Sequence, residues 1–132
     1  ARVVLASGVP LVLLPCFGVV SAFTTTEHEL RHWLGGRNAL CDYLVENTVT
    51  EAERYAKGHV WSRVIWDATA VGWLMNEDGR LMQDRLMPTP VPEYDHRWRC
   101  PADAPLCRYV YQIKRDALFE DMFVRLARGT AE

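Results

Sequence analysis

The run Arg2-Val3-Val4-Leu5-Ala6-Ser7-Gly8-Val9-Pro10-Leu11-Val12-Leu13-Leu14-Pro15-Cys16 decides the fold. Val3, Val4 and Leu5 begin an apolar helical pattern that stops at Ser7-Gly8, where glycine supplies the left-handed residue that ends many helices. Pro10 to Cys16 then holds the aliphatic block Leu11-Val12-Leu13-Leu14. It is too short for a helix and apolar on both faces, the pattern of a strand buried between two layers. Helix, tight turn and buried strand make one step of a doubly wound sheet. The expected fold is therefore α/β, a partial doubly wound (Rossmann-like) parallel sheet with flanking helices, forming a single domain over residues 1–132. In such sheets ligands gather beyond the carboxyl ends of the strands, here the stretch Phe17 to Thr25. The first helix has neither a start signal nor an initiator Met before it, so the chain is expected to be part of a longer protein.

A second stretch, Val64-Ile65-Trp66-Asp67-Ala68-Thr69-Ala70-Val71-Gly72-Trp73-Leu74-Met75, sets one carboxylate between a β-branched run and a helical one. Val71, Leu74 and Met75 recur at i, i+3 and i+4, which makes them the apolar face of a helix and puts Asp67 at its N-cap. A carboxylate there has two uses. It can accept the orphan amide N–H groups of the first turn, or it can serve a site as a pre-oriented anion.

The totals narrow the classes. At 132 residues, 49% of them apolar, the chain is one domain in size and long enough to bury a core. Fifteen basic and seventeen acidic residues are scattered along it for a net charge of −2, so no basic footprint points to nucleic acid or to an anionic membrane. Cys16, Cys41, Cys100 and Cys107 form no C-x-x-C pair, and no N-x-[ST] sequon is present. They read as free thiols of a cytoplasmic protein, although Cys100 and Cys107 are close enough in sequence to form a disulfide. The apolar run from Val3 to Phe23 after Arg2 also suits a signal peptide or anchor, but Gly8, Pro10, Pro15 and Gly18 interrupt it.

His28-Glu29-x-x-His32 is literally H-E-x-x-H, with Gly35 where the longer zinc-protease signature has its glycine. Two imidazoles one turn apart can hold zinc, with Glu29 as general base, which makes a zinc metallopeptidase one alternative. Asn38 stands where a third ligand belongs. Thr26-x-x-Glu29 is equally a capping box, which leaves a capped helix with two surface histidines. Asn38 to Glu46 predicts another helix, and Thr50-x-x-Glu53 a second capping box opening a polar helix that stops at Gly58. Tyr55, His59 and Trp61 lead into Trp66 and Asp67. They form either a solvated surface or a lid, and with Trp66 they are the candidate substrate-binding residues. Asn76 to Gly79 predicts a turn, and Pro88, Pro90 and Pro92 keep Met87 to Glu93 extended and edge-like. Arg108 to Ile113 alternates, with Tyr109, Tyr111 and Ile113 on one face of a strand. Asp116 then reads as the cap of a helix carrying Leu118, Phe119, Met122, Phe123 and Leu126 on one stripe.

Taken in order, Ala1-Arg2-Val3-Val4, Ser7-Gly8-Val9-Pro10-Leu11-Val12, Pro15-Cys16, Ile65-Trp66-Asp67-Ala68-Thr69-Ala70-Val71 and Tyr109 to Leu126 resemble the C-terminal half of the inosine-uridine preferring nucleoside hydrolase family. The resemblance covers nearly the whole chain but not the family's N-terminal aspartate cluster. It implies a larger nucleoside hydrolase domain that binds one Ca²⁺ and hydrolyses the N-glycosidic bond of a ribonucleoside, with the full-length protein a homo-oligomer. It also implies that Asp67 is the late calcium-binding carboxylate. Trp66 stands where the family often has a histidine that protonates the leaving base, and it offers a stacking face instead. The catalytic base of the family belongs to the missing segment, so this chain alone is expected to be inactive. A noncatalytic α/β binding domain is the remaining alternative.

Overall fold

The computed structural model describes residues 1–129. In chain order the first half comprises α1 (Arg2–Leu5), β1 (Val12–Leu13), β2 (Thr24–Thr25), α2 (Glu27–Leu34), α3 (Ala39–Ala56) and β3 (Arg63–Val64). The second half comprises α4 (Ala68–Leu74), β4 (Met82–Pro88), β5 (Val91–Pro92), β6 (Trp98–Arg99), β7 (Leu106–Ile113) and α5 (Arg115–Arg128). Among the described residues no helix is long and apolar enough to cross a membrane.

β7 is the middle of a three-stranded sheet ordered β1-β7-β4. β1 runs parallel to β7, and β4 runs antiparallel along its other edge. Two small antiparallel pairs, β2 with β3 and β5 with β6, complete the strands. The fold is thus mixed α/β, and the expectation of an all-parallel sheet is corrected. β4 returns to β7 through the β5–β6 excursion without a crossover helix, and antiparallel pairing needs none. The supposed buried strand is also shorter than read: Pro10 and Pro15 bracket it, only Val12 and Leu13 pair with β7, and neither is fully buried.

The core lies on one face of the sheet. Val110 and Ile113 of β7 meet Val20 and Phe23 from the turn after β1, Leu30 and Leu34 of α2, Cys41, Val45 and Val49 of α3, and Leu118, Phe119 and Phe123 of α5. The expected face of Tyr109, Tyr111 and Ile113 is broken by a register shift opposite Gln83 and Asp84, where Gln83 pairs with Gln112 but Asp84 with Val110. Tyr111 is the extra residue of a β-bulge, which re-aims the strand so that Val110 and Ile113 share the core side. Tyr109 faces the opposite side.

The helices carry further corrections. α3 is one helix of 18 residues, and Thr50 lies inside it rather than capping a second one. Its buried positions Cys41, Val45, Val49 and Ala52 continue one stripe through the supposed break. Asn38 caps it: the side-chain oxygen accepts from the Cys41 amide at 2.9 Å, and the Nδ2 group donates to the Leu126 carbonyl at 2.9 Å. The helix ends as read, with Lys57 in left-handed conformation followed by Gly58 at φ 83°. α4 is rotated from the expected face. Leu74 is 84% exposed and Val71 is exposed, while Thr69 and Gly72 are buried. Gly72 decides this, because a Cβ there would stand 2.6 Å from Leu118 Cδ1 and 3.1 Å from Met82 Cε, so only the bare side of the helix can approach α5 and β4. α5 shows the expected stripe, but Asp116 is not its cap. Lys114 occupies that position, and Asp116 pairs with Arg115 in the first turn. Asn76 anchors the turn before β4, accepting from the Leu81 and Met82 amides and donating to the Met82 carbonyl.

Phe119 stacks against Phe23 at 4.0 Å and Phe123 at 5.2 Å between ring centroids. Phe119→Ala is expected to cost about 3–5 kcal/mol of unfolding free energy, read as a lowered urea midpoint. A second prediction concerns acid. Asp121 binds Arg125 at 2.7 Å and Arg80 at 2.9 Å, and the Arg125 hydrogen bond, with help from Arg80, holds its pKa below the usual carboxylate value. Its stabilising contribution is present above that usual value and is lost as pH falls through the lowered one. Asp121→Asn should therefore lower the urea midpoint at about pH 7 and change it less at about pH 2.5.

Candidate functional site

Asp67 stands immediately before α4 but does not cap it. Its backbone is helical, φ −78° and ψ −23°, whereas a capping residue needs extended backbone to swing its side chain onto the first-turn amides. Accordingly the carboxylate accepts no capping hydrogen bond. The helix entry is held by the Trp66 carbonyl, which accepts from the Thr69 hydroxyl at 2.7 Å, and by the Asp67 carbonyl, which accepts from the Ala70 amide at 3.0 Å.

The exposed Asp67 side chain lines a shallow groove of about 400 Å³ with Asn47, Thr48 and Glu51 of α3 and with Arg63 and Trp66. Asn47 donates its Nδ2 group to the Tyr43 carbonyl at 2.8 Å, and its side-chain oxygen accepts no hydrogen bond among the described residues. Glu51 is engaged with Arg54 at 2.8 Å along the helix. Hard oxygen donors of the kind calcium prefers are present, but calcium takes about six to eight of them. Among the described residues no group of three or more His, Cys, Asp or Glu is placed to hold a metal. Asp67 fits calcium as a single donor. Arg63 on the same groove adds positive charge that opposes a cation there.

Trp66 meets Phe17 edge-on, with ring centroids 6.4 Å apart and planes at 69°. Phe17 follows the carboxyl end of β1, so a strand end and the neighbour of the candidate acid converge. The only signal for Phe17 in the sequence was this position after Pro15-Cys16. Tyr55 and Trp61 line a different depression, of about 340 Å³, with Ala52, Ala56, Val60 and Ser62, and it shares Arg63 with the Asp67 groove. His59 is exposed in the turn after α3 and lines neither depression. The four candidate substrate-binding residues therefore do not line one depression.

The H-E-x-x-H helix is built differently from a zinc site. Glu29 accepts from the Thr25 hydroxyl at 2.7 Å and pairs with Arg115 at 2.5 Å, so its carboxylate ties α2 to β2 and α5. Only half of the expected capping box forms, the Thr26 hydroxyl accepting from the Glu29 amide at 3.4 Å. His28 and His32 share an open depression with Glu29 and Arg115, which are already paired with each other, so the carboxylate is not free to act as a general base there. Asn38, in the third-ligand position, is the α3 cap. The cysteines are all free, with Cys16 and Cys100 exposed and Cys41 and Cys107 buried, so the Cys100–Cys107 bridge is not formed. A larger cavity, of about 590 Å³, lies beside β1 and the β5–β6 pair.

No protein-family model matches the chain, and no curated protein matches it significantly.

Because Asp67 makes no cap, Asp67→Ala should change stability by less than about 0.5 kcal/mol, where loss of a true cap costs typically about 1 kcal/mol. Glu29→Ala, by contrast, should cost about 1.5–3 kcal/mol through its charged hydrogen bonds. Paired urea titrations of the two variants check both.

Proposed function

We propose that this chain is the C-terminal portion of a calcium-dependent nucleoside N-ribohydrolase, which cleaves the N-glycosidic bond of a ribonucleoside to base and ribose. The observation that carries this reading is the Asp67 carboxylate, bound to no amide of its own helix and facing a groove beside the Trp66 ring. A carboxylate in that state is available to a cation. Asp67 would hold calcium as one of its donors, the others coming from polypeptide outside these residues. Calcium, when bound, would supply the positive charge that eases deprotonation of a hydrolytic water by a base outside these residues.

The remaining roles fall to this chain's own side chains. Trp66 presents a ring face on which an aromatic base can stack, and Phe17 supports that ring edge-on. The indole has no titratable proton to give, so departure of the base is not assisted by proton transfer from this position. The reading includes a small-molecule ribonucleoside as partner, a homo-oligomeric full-length protein and a cytoplasmic location.

In the longer protein, release of base from inosine or uridine should require calcium and stop on chelation. Asp67→Asn should lower calcium affinity and reduce kcat/KM by about 100-fold, equivalent to ~2.7 kcal/mol of transition-state stabilisation. The 132-residue chain alone should release no base. Full calcium affinity and full rate in Asp67→Asn would overturn the role given to this acid.

A further inference from the structure

The cavity of about 590 Å³ lies between the carboxyl end of β1, the side of β4 and β7 that faces away from the core, and the β5–β6 pair. Leu13 and Tyr109, partners in the β1–β7 register, form its floor together with Met87 of β4. Phe17 and Trp98 also line it, and both are left open to water, 88% and 64% exposed. The volume is that of a small-molecule site, and two large aromatic side chains uncovered around one concavity mark a surface that gains by being covered.

Charge narrows the occupant. Arg85 is the one charged side chain among the described lining residues. The arginines around it are paired: Arg2 and Arg99 with Glu93, and Arg108 with Asp84. Arg85 has no acidic partner among the described residues, and its guanidinium stands 5.9 Å from the Tyr109 ring centroid. An unneutralised guanidinium on an apolar wall favours an anion, and its planar fork matches a carboxylate or sulfonate. The faces of Trp98 and Tyr109 favour a flat ring.

We propose that this cavity binds a small planar aromatic acid, with its ring against Trp98 and Tyr109 and its anionic group on Arg85. The protein carries its own reporters of occupancy, because Cys16 and Cys100, the two exposed thiols, both line the cavity, while Cys41 and Cys107 are buried. A ligand seated there shields both exposed thiols together.

The test follows alkylation of the whole chain by iodoacetamide, site by site, by peptide mass spectrometry, with 2-naphthoate titrated in. The expected result is saturable protection of Cys16 and Cys100 with one half-protecting concentration, and little change at Cys41 and Cys107. Arg85→Met should raise that concentration by about tenfold or more, Arg85→Lys by about threefold at most, and neutral 2-naphthamide should protect weakly and be indifferent to Arg85. Arg85 is exposed on an outer strand, and circular dichroism of each variant verifies that it is folded. The proposal is overturned by no saturable protection, by equal protection by the amide, or by an Arg85→Met response identical to the parent's. Protection that rises with protein concentration and ignores naphthoate would overturn it in favour of a second copy of the chain.

Discussion

The guanidinium of Arg115 holds three parts of the chain at one point. Its Nε and Nη2 groups donate to the Thr24 carbonyl at 2.9 and 2.6 Å, Nη2 also reaches Glu29 at 2.5 Å, and its centre lies 4.5 Å from the Phe119 ring. Charge-assisted bonds on one side and a cation over an aromatic face on the other fix α5 against β2 and α2. The candidate site depends on this clamp at second hand. Thr24, whose carbonyl Arg115 holds, pairs with Val64, and the Phe23 carbonyl accepts from the Ile65 amide at 3.0 Å. Two residues later comes Asp67. The direction of its carboxylate is thus inherited from a core built around Phe23 and Phe119.

The sequence showed most clearly where apolar spacing alone decides. The stripe of α5 from Leu118 to Leu126, the glycine stop at Gly58 and the turn at Asn76 follow from periodicity and turn chemistry, whereas α1 ends at Leu5 with Ala6 as its cap, ahead of the expected stop at Gly8. It misled where a contact made far along the chain chose between local options. Thr50-x-x-Glu53 satisfies the spacing of a capping box, yet Val45, Val49 and Ala52 bury one continuous face, and that burial outweighs a local cap. Val71 and Leu74 look like the inner face of α4 until Gly72 is seen beneath Leu118 and Met82. The bulge at Tyr111 has no signature in β7 itself, since it arises from register with β4.

The candidate site was legible in part for the same reason. Asp67 stands out by its place in the sequence, but whether it caps α4 rests on one backbone angle, ψ −23°, that no residue type dictates. Glu29 shows the opposite case. Its motif suggested chemistry, and its surroundings give it a structural role, because Arg115 arrives from the far end of the chain to pair with it. Spacing identifies which residues can act together; long-range ion pairs decide which are left free to do so.

The pairing of β1 with β7 joins Val12 to Arg108 and Leu13 to Tyr109, so the only parallel contact in the described sheet spans most of the polypeptide. A ribosome would release β1 long before its partner exists. Until then Leu13 and Leu14 have no sheet to join, and closing so long a loop must precede any gain from the pairing. The helical layer of α2 and α3 can collapse early through contacts near in sequence, whereas the sheet is completed last. The nascent chain therefore carries an unpaired aliphatic segment through most of its synthesis, the kind of surface that favours aggregation until the sheet closes over it.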